Sequence, residues 1–291
     1  MLILSMTGYG NAVREFPTGA MSLEVKSVNS RFLDVVFRLN DELRALEPAL
    51  RELVTASVAR GKVEVRLGFG RDAAARGART LSVNVGAVSN LAVAAAEVWR
   101  LVPEAGPLST LEILEWPGVL EDGGIAPETL RDAALELARL ALAEFRASRE
   151  REGEKLEKML LDRVGAIDEL VLRIEPLLPQ IVAEYHAKLA ARLRDALGSA
   201  DDERVRLEVG MFGIRIDVAE ELSRLGAHLA EVRRVLDNGG ACGKRLDFLM
   251  QELNREANTL GSKSVSTEVS AAAMEVKILI EQMREQVQNI E

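Results

Sequence analysis

A helical hydrophobic pattern that runs almost unbroken from Pro127 to Ile174 constrains this chain more than any other feature of it. A helix of that span is far longer than the usual globular helix. It must therefore find packing partners along its length, either neighbouring helices or another subunit. Pro127 suits the first helical position and Glu128 the positive end of the helix. Gly153 and Gly165 are the places where the run could break, and Pro176 and Pro179 are expected to end it. A second helix from about Gln180 to Leu197 stops at Gly198, so a projecting helical hairpin is the expected architecture. His186, on that second helix, has no evident partner set and reads as a surface or packing histidine.

Upstream of the long run the pattern changes to strands. Met21 to Leu39 is rich in Val, Leu and Phe with partial alternation, and Asn29-Ser30 in its middle predicts a turn between two antiparallel strands. Glu42 to Val58 follows helical spacing through Leu43, Leu46, Leu50, Leu53 and Val54. Lys62 to Phe69 alternates strictly, with Val63, Val65 and Leu67 on one face and Lys62, Glu64 and Arg66 on the other, as a half-buried strand requires. Ser82 to Val85 reads as a short strand, Gly86 to Leu101 as a helix, and Trp116 to Val119 as a turn. That turn lies in a Pro/Gly-rich passage from Pro103 to Pro127, which is the expected domain boundary. The fold class is therefore α+β. An N-terminal mixed domain with an antiparallel sheet, residues 1–124, precedes a helical region, residues 125–291.

Composition narrows the function classes. A formal net charge of -9 lowers the expectation of a nucleic-acid partner, since phosphate contacts supply most non-specific affinity. It is an average, and a local basic face or a bound cation can still present positive potential. One such face is the stretch from Arg60 to Arg79, where Arg60, Lys62, Arg66, Arg71, Arg76 and Arg79 outnumber Glu64 and Asp72. It reads either as a solvated strand edge followed by a loop or as a phosphate-binding surface. Aromatic residues make up only 4%, which argues against base stacking as the main binding device. With Cys242 as the one cysteine, an intrachain disulfide and a four-cysteine zinc site are excluded. The segment MLILSMTGYG lacks a basic leader, and no apolar run reaches the roughly 18 residues of a membrane span, so a cytoplasmic protein without a membrane anchor is expected.

The densest chemistry lies between Asp217 and Lys263. On a helix from Asp217 to Glu231, the residues Asp217, Glu220, Glu221, Arg224, His228 and Glu231 share one stripe, and Val218, Leu222, Leu225, Leu229 and Val232 take the other side. Carboxylates one turn apart with a histidine beyond them can offer several ligands to one divalent ion; the same spacing suits salt bridges such as Glu220 with Arg224. A second helix, Lys244 to Leu260, has a core stripe of Leu246, Leu249, Met250, Leu253 and Leu260. Asp247, Gln251, Asn254, Arg255 and Asn258 line another face, with Glu252 and Glu256 beside them. Asn254 and Asn258 are poor helix formers, so they serve either a buried hydrogen-bond network or the support of a metal or phosphate site. The turn from Asn238 to Gly243 would let Lys244 and Arg245 approach an anion, but it lacks the spacing of a nucleotide-binding loop. Cys242 has no His and Asn partners at a spacing that would make it a nucleophile.

Several ordered segments together resemble one bacterial family. They are SMTGYG (Ser5 to Gly10), EVKSVNSRFLD (Glu24 to Asp34), RGKVEV (Arg60 to Val65), WPGV (Trp116 to Val119), REREG (Arg149 to Gly153), RIDVAEELSRLGAH (Arg215 to His228), GKRLDFLMQELNREANTLGSKS (Gly243 to Ser264) and EVKILIEQMREQVQNIE (Glu275 to Glu291). Their order and sequence resemble the YicC/YloC family, whose characteristic C-terminal motif region would here span about residues 205–291. The resemblance implies a divalent-metal-dependent endoribonuclease that assembles as a hexamer. The positions matching the family's polar motifs are Glu24, Asn29, Arg31, Lys62 and Glu64, then Glu150 and Glu152, and then the polar residues of the two C-terminal helices together with Lys263. Lys244 stands where the family often has Arg, which keeps the charge but loses a bidentate fork.

The family pattern does not by itself say which of these residues are catalytic; the leading reading of them is phosphodiester cleavage in single-stranded RNA. A Mn²⁺ or Mg²⁺ ion would be held by Glu220, Glu221, His228, Glu252 and Glu256, with catalysis carried by His228, Glu221, Glu252 and Asp217. RNA would be bound by Arg31, Lys62, Arg224, Lys244, Arg245 and Arg255. A metal-independent route, with His228 as general base on the ribose hydroxyl, stays open. So does the alternative of a non-catalytic, oligomeric RNA-binding or scaffold protein, in which the polar motifs fix subunit contacts.

Overall fold

The computed structural model describes residues 2–17, 19–71, 82–121, 125–197 and 202–291, and it is α+β: a four-stranded sheet followed by helices. Asp72, Arg76 and Arg79 of the basic stretch, and Gly198, lie outside the described residues. The strands are β1 (Gly8–Phe16), β2 (Gly19–Val28), β3 (Leu33–Leu39) and β4 (Gly61–Arg71), arranged in the order β1-β2-β4-β3.

The antiparallel pair expected within Met21 to Leu39 does not form, because β4 lies between β2 and β3. It runs antiparallel to β2 and parallel to β3, with Leu33 opposite Gly61 and Leu39 opposite Leu67. The physical reason is the helix between them. A 3-10 turn (Asp41–Leu46) and α1 (Glu47–Ser57) make a crossover, and a strand followed by a helix and a strand in one sheet returns parallel. The hairpin is instead β1 with β2, paired from Gly8 and Ser27 to Phe16 and Gly19. Pro48 in the first turn of α1 explains why the α-helix begins at Glu47 and not at Glu42, since it can donate no backbone bond to the preceding turn.

After β5 (Ser82–Val83), α2 (Val85–Leu101), α3 (Thr110–Glu115) and β6 (Leu120–Glu121), the long helix α4 (Pro127–Ile174) runs for 48 residues, continuous through Gly153 and Gly165. Most of its length faces two separate cores, and its last residue, Ile174, enters a third with Val218, Leu222, Leu260 and Val269. Ala133, Leu137, Ala141 and Phe145 in its first half pack on Met21, Leu23, Val25, Val63, Val65 and Leu67 of the sheet and on Leu50 and Val54 of α1. Leu156, Leu160, Val164 and Ile167 in its second half pack against the C-terminal helices α7 (Ala219–Asn238), α8 (Gly243–Lys263) and α9 (Thr267–Val287). Each fully buried Leu or Val contributes roughly 1.5–3 kcal/mol, so α4 anchors both cores. Its contact with the N-terminal segment is too close for side chains. A Cβ on Gly10 would lie 2.2 Å from the Ala141 carbonyl oxygen, and one on Gly153 would lie 2.0 Å from that of Ile3.

The hairpin expected between the long helix and the helix after Pro176 and Pro179 does not form. A 3-10 turn at Glu175–Leu177, helical at both its caps, carries α4 onward into α5 (Leu178–Leu197), because proline can take the first positions of a new helical segment. α5 packs instead along α6 (Asp202–Ile216). His186 of α5 fits against Gly213, where a Cβ would come within 2.8 Å of its ring nitrogen, so it is a packing histidine. Both chain ends are held between the cores. Ser5 bridges Ile290, and the Ser5 amide donates to the Arg149 carbonyl at 3.1 Å. The Arg149 side chain, 3% exposed, donates to the Ser5 carbonyl at 2.5 Å and pairs with the carboxylate of Glu291.

Candidate functional site

The helices α7 and α8 cross as an antiparallel pair joined by polar rungs. At one end Lys263 Nζ donates to Glu221 Oε1 at 2.9 Å and to the Asp217 carbonyl at 3.0 Å. One turn on, Arg224 pairs with Glu220 on its own helix and stands 3.7 Å from Glu256 across the gap. At the other end Glu231 accepts from Arg234 at 2.7 Å and from Arg245 at 3.2 Å. Four residues beyond Arg224 on α7, and four before Glu256 on α8, His228 and Glu252 occupy the next level of the same register, where among the described residues no bond joins them.

These rungs differ in what they leave uncommitted. Glu221 and Glu256 are each only 5% exposed, and among the described residues one oxygen of Glu221 is buried with no hydrogen-bond donor. Burying a carboxylate without full compensation is costly, so that oxygen is a position for an added donor or cation. His228 and Glu252 are half-buried and make no side-chain hydrogen bond or ion pair among the described residues. Glu231 is the opposite case: the hydrogen bond from Arg234, followed by that from Arg245, lowers its carboxyl from 4.5 to about 2.

A cleft opens where the first turn of α8 meets the sheet domain, with a volume of about 710 Å³. Asn29, Arg31 and Phe32 line it from the segment that carries β2 over to β3, Arg60 from the turn before β4, and Lys244 and Asp247 from α8. The cleft is pinned by Asn29, whose side-chain amide donates to the Gln288 carbonyl at 2.6 Å, and by Arg60, which donates to the Ser30 carbonyl at 3.1 Å. Among the described residues, Arg31 and Lys244 meet no carboxylate. From Lys244 the exposed stripe of α8 continues through Phe248, Gln251, Arg255, Asn258 and Ser262. Asn258 is exposed and Asn254 half-buried, with no side-chain hydrogen bond among the described residues. They are thus not spent on a buried network within the chain.

The expected residues are therefore brought together in part. Glu220, Glu221, Arg224, His228, Glu252 and Glu256 lie along one interhelical line, and Arg31 and Lys244 share the cleft at its end. Asp217 is occupied, its carboxylate accepting from the Ala219 amide at 3.0 Å at the start of α7. Lys62 lies apart on the outer face of the sheet, beside Asp34 and Val28. On that face Glu64 is held by Arg66, Arg38 and Lys26, and the Arg66 hydrogen bond keeps its carboxyl below the usual range. Glu150 pairs with Arg146 and Glu152 with Lys155, both on α4. Among the described residues, no three of His, Cys, Asp and Glu converge as a metal-ligand group. Cys242 is buried, which pushes its thiol up, away from a nucleophilic thiolate. Sequence reasoning missed Phe32 in the cleft and Arg149 under the chain ends, although both lie within the motif segments SRFLD and REREG.

Two family models match the chain. That for the N-terminal region of YicC-like endoribonucleases covers residues 3–158, and that for their C-terminal part covers residues 174–291. A protein of Haemophilus influenzae named probable endoribonuclease YicC is 36% identical over 290 residues, spanning the whole of both chains. A Clostridioides difficile protein of the same name is 28% identical over 299 residues, again across the whole of both.

Proposed function

The chain belongs to the YicC-like endoribonuclease family, and from that membership we propose that it is an endoribonuclease, a hydrolase of RNA, acting on single-stranded RNA with the help of a divalent cation. The observation that carries the RNA side of this reading is the cleft, where Arg31, Arg60 and Lys244 converge from three segments on a protein of net charge -9. Three cations against one carboxylate, Asp247, in a single recess give it a local positive balance, and such a balance is how a protein of negative net charge attracts a polyanion. Arg31 and Arg60 present planar donor forks to phosphate oxygens, and Lys244 a point charge at the first turn of α8. A strand leaving the cleft along α8 passes Glu252 after about 12 Å of helix axis.

The ladder supplies the chemistry in this reading. The open oxygen of buried Glu221 can take a cation, while Glu220, Glu256, His228 and Glu252 lie at successive levels of the ladder and, among the described residues, do not converge on it as a ligand group. Magnesium-type ions are commonly held by one or two carboxylates plus substrate phosphates, so no complete protein cage is required. When bound, Mn²⁺ or Mg²⁺ neutralises phosphate charge and lowers the pKa of a water molecule. His228 and Glu252, uncommitted and at one level of the register, move the proton, and Arg224 stands beside them to balance negative charge. A homo-hexamer is also proposed. Its support is that no residue of α2 or α3 is buried, which leaves Val85, Val93, Leu101, Leu111 and Trp116 exposed for contact with another copy.

The test is cleavage of a short single-stranded RNA and of the same RNA annealed to its complement, with mapping of the product ends. The reading requires internal cuts in the single strand that stop on chelation. Ends bearing a 2',3'-cyclic phosphate and indifference to chelator would replace the metal by His228 acting on the ribose hydroxyl.

A further inference from the structure

Of the seven phenylalanines, only Phe32, 71% exposed, and Phe248, 48% exposed, lie open to solvent. An isolated exposed hydrophobic residue is unremarkable. An arginine also stands over the rings of Phe16, Phe37 and Phe145, so what sets these two apart is an arginine-backed ring that is exposed and lies beside the cleft. The guanidinium of Arg31 stands 5.4 Å from the centroid of the Phe32 ring, and that of Arg245 stands 5.6 Å from the centroid of the Phe248 ring. Both pairs flank one cleft: Phe32 and Arg31 line it, and Phe248 sits one helical turn beyond Lys244, which lines it from α8.

Resting on the endoribonuclease reading, we propose that Phe32 and Phe248 are stacking platforms for unpaired bases, and that they give the cleft its preference for single-stranded RNA. An arginine against one face of a ring restrains the ring and adds a cation beside the base that stacks on it. The phosphates between two stacked bases then meet Arg31, Arg60 and Lys244. Bases inside a duplex are already stacked on one another and offer no free face, so the same surface holds duplex RNA through its backbone only. Low aromatic content argues against stacking when the chain is taken as a whole; the position of the two exposed rings reverses that conclusion for this one site.

The experiment compares wild type, Phe32→Ala, Phe248→Ala and Phe32→Trp, as the full chain, by fluorescence anisotropy. Three probes are used: a short mixed-sequence single strand, its duplex, and an abasic strand of the same length. Each alanine variant is expected to weaken single-strand binding about tenfold, within the range of stacking losses per base, and to leave duplex and abasic binding unchanged. Phe32→Trp is expected to retain single-strand affinity. Equal loss on all three probes, no loss on any, or a changed oligomer with binding intact overturns the proposal. Wild type that cleaves the single strand while the variants bind it normally overturns the stacking role alone; wild type that neither binds nor cleaves RNA removes the endoribonuclease reading with it.

Discussion

Lys263, the last residue of α8, reaches across to Glu221 in the first turn of α7, with its ammonium 2.9 Å from one carboxylate oxygen while the other oxygen is buried without a donor among the described residues. The pair is unequal, since Glu221 is nearly enclosed and Lys263 partly solvated. Removing the lysine leaves an enclosed carboxylate with no cation, so Lys263→Met should cost about 2–4 kcal/mol in a urea unfolding series. Glu221→Leu combined with Lys263→Met should recover most of that loss. A single variant as stable as wild type would show that the contact is not formed in solution.

Glu231 makes a pH-dependent contribution. Its carboxyl lies at about 2 in the fold against 4.5 ordinarily, so the unfolded chain binds its proton first as pH falls. The stabilisation is complete above pH 4.5 and is lost progressively down to about 2. Glu231→Gln should therefore be less stable than wild type at neutral pH, with the difference closing across that window. Denaturation midpoints of both proteins as a function of pH measure it, and a constant difference would contradict the assignment.

Much of this was legible in the residues, for identifiable reasons. The long helix, β4 and the α7–α8 pair carry strong periodic patterns and all form; α4, β4 and α8 keep close to their expected bounds, while α7 runs seven residues past Glu231 to Asn238. Strand order was less legible, because Asn29-Ser30 looks like a turn and only the intervening α1 betrays the parallel return of β3 and β4. At the site, spacing along one helix found the charged stripe of α7, but it could not show that Asp217 is spent on its own helix start while His228 stays free. The cleft was out of reach for another reason: Arg31, Arg60 and Lys244 are far apart in the chain and meet only through the docking of α8 on the sheet domain.

Arg149 ties the middle of α4 to both chain ends through Ser5 and Glu291. Arg149→Met removes both bonds and leaves the Glu291 carboxylate without its cation, so a loss of about 3 kcal/mol is expected by thermal unfolding. Glu291→Gln should cost less, because Arg149 keeps its bond to the Ser5 carbonyl and the backbone bonds of residue 291 to Leu4 and Gly243 are untouched. If Glu291→Gln proved the more damaging of the two, the Arg149 bond to Ser5 would not be what secures the ends.

Arg31 and Lys244 are assigned to phosphates. Replacing either by methionine should weaken single-strand binding on all sequences alike and flatten the slope of log affinity against log salt by about 0.7 per lost contact. An unchanged slope would remove that residue from the RNA path.

The most direct test is a time course of single-stranded RNA cleavage by wild type and by His228→Ala and Glu252→Gln, each with chelator and after Mn²⁺ is restored. The account predicts internal cleavage by wild type that chelator stops and Mn²⁺ restores. It predicts a loss of about 10²–10⁴-fold in each variant, with unfolding midpoints unchanged. Cleavage by both variants at the wild-type rate, or RNA left intact by wild type with Mn²⁺ present, would contradict it.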